Sequence, residues 1–166
     1  MADNNAGLAV IDISDPTNPG APVYMNTNGY AHGVFIKGNY AYVADYTSGL
    51  AIIDISNPSS PGTPVYRATS KAYGVAISGN YAYVADGNAG LAVIDISNPA
   101  SPGAPVYRNT NGTARGVAIS GNYAYVADRS SGLAIIDISD PARPGAPVYI
   151  KTYGFAEGFR LRGYTA

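Results

Sequence analysis

Along residues 74–97 the chain reads GVAISGNYAYVADGNAGLAVIDIS, a succession of short apolar runs broken by Gly, Asn and Asp. Both faces of the middle runs are apolar: alternation puts Leu91 and Val93 on one side and Ala92, Ile94 and Ile96 on the other. Strands of that kind belong to a sheet covered on both faces. Each unit predicts four strands, GVAIS, YAYVAD, GLAVIDIS and APVYRNT. The SGNY and DGNAG segments predict hairpin turns, because Gly and Asn tolerate positive φ, and the proline-rich NPASPG loop cannot continue a ladder. A helical repeat would need a 3.6-residue apolar period, which these runs lack.

The unit recurs. IDIS stands at residues 11–14, 53–56, 94–97 and 136–139, in steps of 42, 41 and 42, and counting from Ile136 past the last residue round to Ile11 gives 41. The 166 residues therefore hold four whole repeats cut at one point of a circle, with GFRLRGYTA at one end complementing MADNNAGLAVIDIS at the other. Strand-rich repeats of about 40 to 50 residues predict propeller blades. The expected fold is all-β: a β-propeller of four-stranded blades in one domain, residues 1–166, with one blade split between the termini.

GLAVIDISNPASPGAPVY, preceded by GVAISGNYAYVAD, resembles the LVIVD repeat family, in four copies over essentially the whole chain. The resemblance implies a β-propeller, rings larger than four blades, and a secreted or cell-surface setting. GFRLRGYTA departs from the GVAISGNYA pattern at the same place.

Unpaired strand edges invite association, so the C-terminal strand pair must find the N-terminal one. The expected assembly seam comprises Leu8, Val10, Ile11, Ile13, Phe159, Arg160, Leu161, Arg162 and Tyr164. The expected partner is a second copy, two four-blade halves closing an eight-bladed homodimer. The alternatives are a four-bladed monomer and a head-to-tail polymer, the latter a structural subunit of an extracellular filament. Arg160 and Arg162 replace Ala118 and Ser120 of the preceding copy, and seam contacts are their expected role.

Composition narrows the functions. Charged residues make up 13% of the chain and the net charge is −1, so there is no basic footprint for nucleic acid and no polybasic membrane patch. No apolar run is long enough for a membrane helix, and the absence of Cys excludes disulfides and thiol chemistry. The near-uniform copies also fit recent amplification or deliberate construction.

Comparing the copies separates constant positions from individual ones. The aspartates of IDIS (Asp12, Asp54, Asp95, Asp137) and of VAD or its equivalent (Asp3, Asp45, Asp86, Asp128) recur in every unit, which predicts hydrogen-bonded carboxylates that fix turns rather than metal ligands. Variation concentrates in the turn after AD, which contains Tyr46 and Arg129, and in the loop before each first strand. That second loop carries Tyr30, Tyr153, Phe155 and the A-x-G position, occupied by His32, Tyr73, Arg115 and Glu157. Both variable loops should lie on one face of the disc, and exposed rings beside polar groups suit recognition of a glycan or peptide. An enzyme at the channel mouth is the weaker expectation: one A-x-G residue per blade should leave neighbours apart, and no catalytic motif accompanies them. No cofactor or metal is expected.

Overall fold

The computed structural model describes residues 1–158, and its elements are strands joined by turns and loops. Strands β1 (Leu8–Val10) and β2 (Val23–Met25) form a two-stranded sheet. The second blade is a four-stranded antiparallel sheet of β3 (Gly33–Lys37), β4 (Tyr40–Ala44), β5 (Leu50–Asp54) and β6 (Val65–Arg67). The third repeats it with β7 (Gly74–Ser78), β8 (Tyr81–Ala85), β9 (Leu91–Asp95) and β10 (Val106–Arg108), and the fourth with β11 (Gly116–Ser120), β12 (Tyr123–Ala127), β13 (Leu133–Asp137) and β14 (Val148–Ile150). Within each sheet, sequence neighbours are spatial neighbours, the up-and-down meander expected of a propeller blade. The first strands β3, β7 and β11 lie side by side at the centre.

The core is built between blades. Tyr42, Ala44, Leu50 and Ile52 of the second blade pack against Ala82, Val84, Ala92, Ile94 and Ile96 of the third. The same pattern joins the third to the fourth through Tyr83, Ala85, Leu91 and Val93 on one side and Ala124, Val126, Ala134, Ile136 and Ile138 on the other. Each fully buried Leu or Ile contributes roughly 1.5–3 kcal/mol. Small Ala opposite large Leu, Ile and Tyr lets adjacent sheets approach closely.

The first sheet is the exception, with two strands of three residues each. In the second blade β5 runs on to Asp54 because Tyr40 pairs with Asp54 and Ala41 with Ile53. In the first sheet β1 stops at Val10, and Tyr164 of the expected seam lies outside the described residues. Phe159, Arg160, Leu161 and Arg162 of the expected seam also lie outside them. The other seam positions divide by parity. Leu8 and Val10 turn towards the second blade and pack there with Ala41, Val43, Ala51 and Ile53, so they belong to an internal joint. Ile11 and Ile13 turn the other way and are 37% and 68% exposed, whereas their counterparts Ile94 and Ile96 are 0% and 4% exposed.

Candidate functional site

Two kinds of aspartate shape the two rims of the blades. At one rim, Asp12, Asp54, Asp95 and Asp137 each accept the backbone N–H of the serine two residues on, at 2.8–2.9 Å. Those N–H groups hold the carboxyls below the usual aspartate range. At the other rim, Asp45, Asp86 and Asp128 are fully buried. Asp45 accepts Thr27 Oγ–H at 2.6 Å and Gly29 N–H at 2.8 Å, and Asp128 does the same with Thr110 at 2.7 Å and Gly112 at 2.8 Å. Asp86 takes Thr69 Oγ–H at 2.6 Å and the N–H groups of Ser70 and Lys71 at 2.8 and 2.7 Å. Each buried carboxylate thus anchors the loop arriving from the preceding blade. Both sets hold turns and loops through hydrogen bonds, as their recurrence predicts.

The anchored loops carry the variable residues, and they meet the turn after AD. Bridges join Asn4 to Ala31, Tyr46 to Ala72, Gly87 to Ala114 and Arg129 to Ala156, so both variable loops occupy one rim. The bridge residues Asn4, Tyr46, Gly87 and Arg129 all have left-handed φ, from 47° to 59°. Gly87 adopts it freely, but Tyr46 and Arg129 hold a conformation that is unusual for bulky side chains.

At the A-x-G positions the structure corrects the sequence expectation. His32, Tyr73, Arg115 and Glu157 are not held apart but form a continuous stack across successive blades. The rings of His32 and Tyr73 are centred 5.3 Å apart, the Arg115 guanidinium lies 4.0 Å over the Tyr73 ring, and Arg115 Nε is 3.9 Å from a Glu157 carboxylate oxygen. The blades taper inward, so side chains at their innermost corners reach one another although each blade supplies only one. Tyr46 packs 5.6 Å from His32 and 5.3 Å from Tyr73, and Tyr30 lies 6.1 Å from Tyr46. Arg129 donates its Nε–H to Glu157 at 3.1 Å and covers the Phe155 ring at 5.0 Å. Tyr153 makes none of these contacts and is fully exposed.

Lys71 is the member that variation at A-x-G did not reveal; its Nζ lies 5.7 Å from the Tyr46 ring centre. Its signal is a length difference: TSKAYG in the third unit is one residue shorter than TNGYAHG and TNGTARG, which accounts for the 41-residue step. Two of the rim's cations, Arg115 and Arg129, face the Glu157 carboxylate, and the third, Lys71, stands over the Tyr46 ring. A hydrogen bond from Tyr73 lowers the Tyr46 hydroxyl below the usual tyrosine range, with Lys71 and Arg115 adding to it. Burial and the same bond raise Tyr73 above it. Among the described residues no group of three His, Asp or Glu side chains is placed to hold a metal ion. The rim offers ring faces and positive charge, a surface for planar and anionic groups.

Meandering four-stranded blades joined face to face define a β-propeller-like repeat protein. The chain belongs to the LVIVD repeat family, which matches residues 1–27, 28–64, 70–105 and 111–150. Among solved structures it is similar to the computationally designed Ika8 protein, with a TM-score of 0.66 at 9% identity, over 87% of this chain and 45% of that one. At that identity the likeness is one of fold, and the chain spans less than half of the designed protein. No curated protein matches the chain significantly.

Proposed function

We propose that this protein is a non-catalytic β-propeller scaffold that assembles through its two open blade faces and presents the stacked rim as a recognition surface. The observation that carries the assembly is the exposure of Ile11 and Ile13 where Ile94 and Ile96 are buried. The opposite end has the matching defect: Leu133 and Ile135 are only half-buried, although the corresponding Leu91 and Val93 of the third blade are buried. Apolar faces of opposite hand on one molecule are complementary by repetition, since each internal joint already pairs such faces. Two copies closing on each other give an eight-bladed ring. The Ika8 chain, of which this chain covers 45%, leaves room in the same architecture for a second arc of this size.

Ile13→Asp tests the assembly. It places a charge on a side chain that the single chain leaves exposed, so the fold should survive while the particle mass falls to that of one chain. An unchanged mass would sink the assembly reading. For recognition, the support is the gathering of rings and cations on the variable rim, including Tyr46 and Arg129 in left-handed backbone. A glycan and peptide array should return ligands whose binding is lost in Tyr73→Ala and Arg115→Ala. An array without ligands, or ligands indifferent to both substitutions, would remove the recognition role and leave the scaffold alone.

A further inference from the structure

The contacts between blades repeat closely enough to show what is missing at the two ends. In each internal joint a threonine after the last strand donates its hydroxyl to the buried aspartate of the next blade: Thr27 to Asp45, Thr69 to Asp86 and Thr110 to Asp128. Two of these loops add a glycine pressed against the same aspartate, since a Cβ on Gly29 or Gly112 would lie 2.2 Å from the Asp45 or Asp128 carbonyl oxygen. At the centre, the A-x-G glycines touch in series. A Cβ on Gly33 would lie 3.3 Å from Gly74 Cα, one on Gly74 3.4 Å from Gly116 Cα, and one on Gly116 3.1 Å from Gly158 Cα.

At the far end the same three groups stand unmatched. Thr152 turns its hydroxyl to the Gly154 carbonyl, at 2.8 Å, instead of to an aspartate. Among the described residues nothing lies within 4 Å of a Cβ built on Gly154 or on Gly158. The near end holds the complements. Asp3 occupies the repeat position of Asp45, Asp86 and Asp128, yet it is only half-buried. His32 and Gly33 begin the series of A-x-G residues that Glu157 and Gly158 end.

From these matched vacancies we infer that a second copy of this chain completes the joint. The Asp3 carboxylate of one copy accepts the Thr152 hydroxyl and Gly154 N–H of the other, and Glu157 comes to rest beside the other copy's His32. The inference rests on the assembly proposed above and specifies its contacts. It makes the rim a closed collar, His, Tyr, Arg and Glu twice round, in which every neighbouring pair is attractive: ring on ring, guanidinium on ring, carboxylate on guanidinium, and carboxylate on imidazole. Any ligand bound at the seam meets residues of both copies.

The chain has no Cys, so engineered pairs report closure cleanly. The double variant His32→Cys, Glu157→Cys, oxidised with copper phenanthroline, should run on a non-reducing gel as a covalent dimer without higher bands. The internal pair Tyr73→Cys, Arg115→Cys should form an intrachain disulfide and thereby show that the spacing permits one. A cross-link confined to single chains, or a ladder of longer species, would overturn closure by one second copy. Asp3→Ala should weaken dimerisation at least about tenfold, since it removes hydrogen bonds to a charged group, while Asp15→Ala should leave it unchanged. If the wild type has twice the chain mass but neither the seam cross-link nor the Asp3 effect occurs, this joint is wrong and the assembly stands. A wild type that stays a single chain at every concentration overturns both.

Discussion

The joint between the third and fourth blades and the open faces at the ends of the chain are made from equivalent repeat positions and differ in what covers them. In the joint, Leu91 and Val93 meet Ile136 and Ile138, and a buried aspartate binds the loop of the blade before it. At the ends, Ile11 and Ile13 face outward and Asp3 is half-buried. Burial in this fold is therefore a property of the pair of blades and not of the blade. A single repeat cannot satisfy its own two faces, so the proposed assembly would draw on the same kind of side chain that holds the internal joints.

The comparison can be broken most severely by charge. Ile94→Asp should unfold the protein, because a carboxylate placed in the joint has no partner there and the loss exceeds about 4 kcal/mol. Ile13→Asp should leave the melting of the single chain almost unmoved. Equal effects in thermal melts would mean that the two faces do not differ as described.

Next in size is the loss of a buried carboxylate. Asp86→Ala strips the hydrogen bonds from Thr69, Ser70 and Lys71 and should destabilise by roughly 2–3 kcal/mol, measured by urea unfolding. Asp54→Ala, at the opposite rim, removes an exposed turn contact and should have a clearly smaller effect. If both variants unfold at the same urea concentration, the distinction between the two rims fails.

Glycine crowding separates the ends more finely. Gly116→Ala brings a methyl against Gly158 Cα and the Glu157 carbonyl, at 3.1 and 3.3 Å, and should destabilise by about 1–3 kcal/mol. Gly158→Ala should be tolerated by the isolated chain and opposed only where a further blade packs. A stability loss in Gly158→Ala at dilutions where only single chains remain would contradict this.

The smallest effect is that of pH. The carboxyls of Asp12, Asp54, Asp95 and Asp137 are depressed by serine N–H groups, so they favour the fold above their unfolded value of about 4. That contribution is lost as pH falls through the depressed folded values. Melting temperature should be level above about pH 5 and decline below pH 4. A melting temperature that rose on acidification would reverse the sign assigned to these turns.

Much of the fold was legible because it is periodic. The IDIS repeat placed the blades, and two-residue alternation assigned Leu91 and Ile94 to opposite faces. The same alternation separates Leu8 from Ile11, although both lie close to the cut in the sequence. The rim was legible only as a list of variable residues. That His32, Tyr73, Arg115 and Glu157 touch depends on the inward taper of the blades, which spacing along the chain does not encode. Lys71 was hidden because it differs from its counterparts by a deletion in the loop rather than by identity at a shared position.

Absolute mass in solution tests the central claim most directly, by light scattering coupled to size exclusion over a wide range of concentration. Closure of the open faces on a second copy predicts a single particle of twice 17.1 kDa that resists growth as concentration rises. A particle of 17.1 kDa throughout, or a mass that climbs without limit, would contradict it.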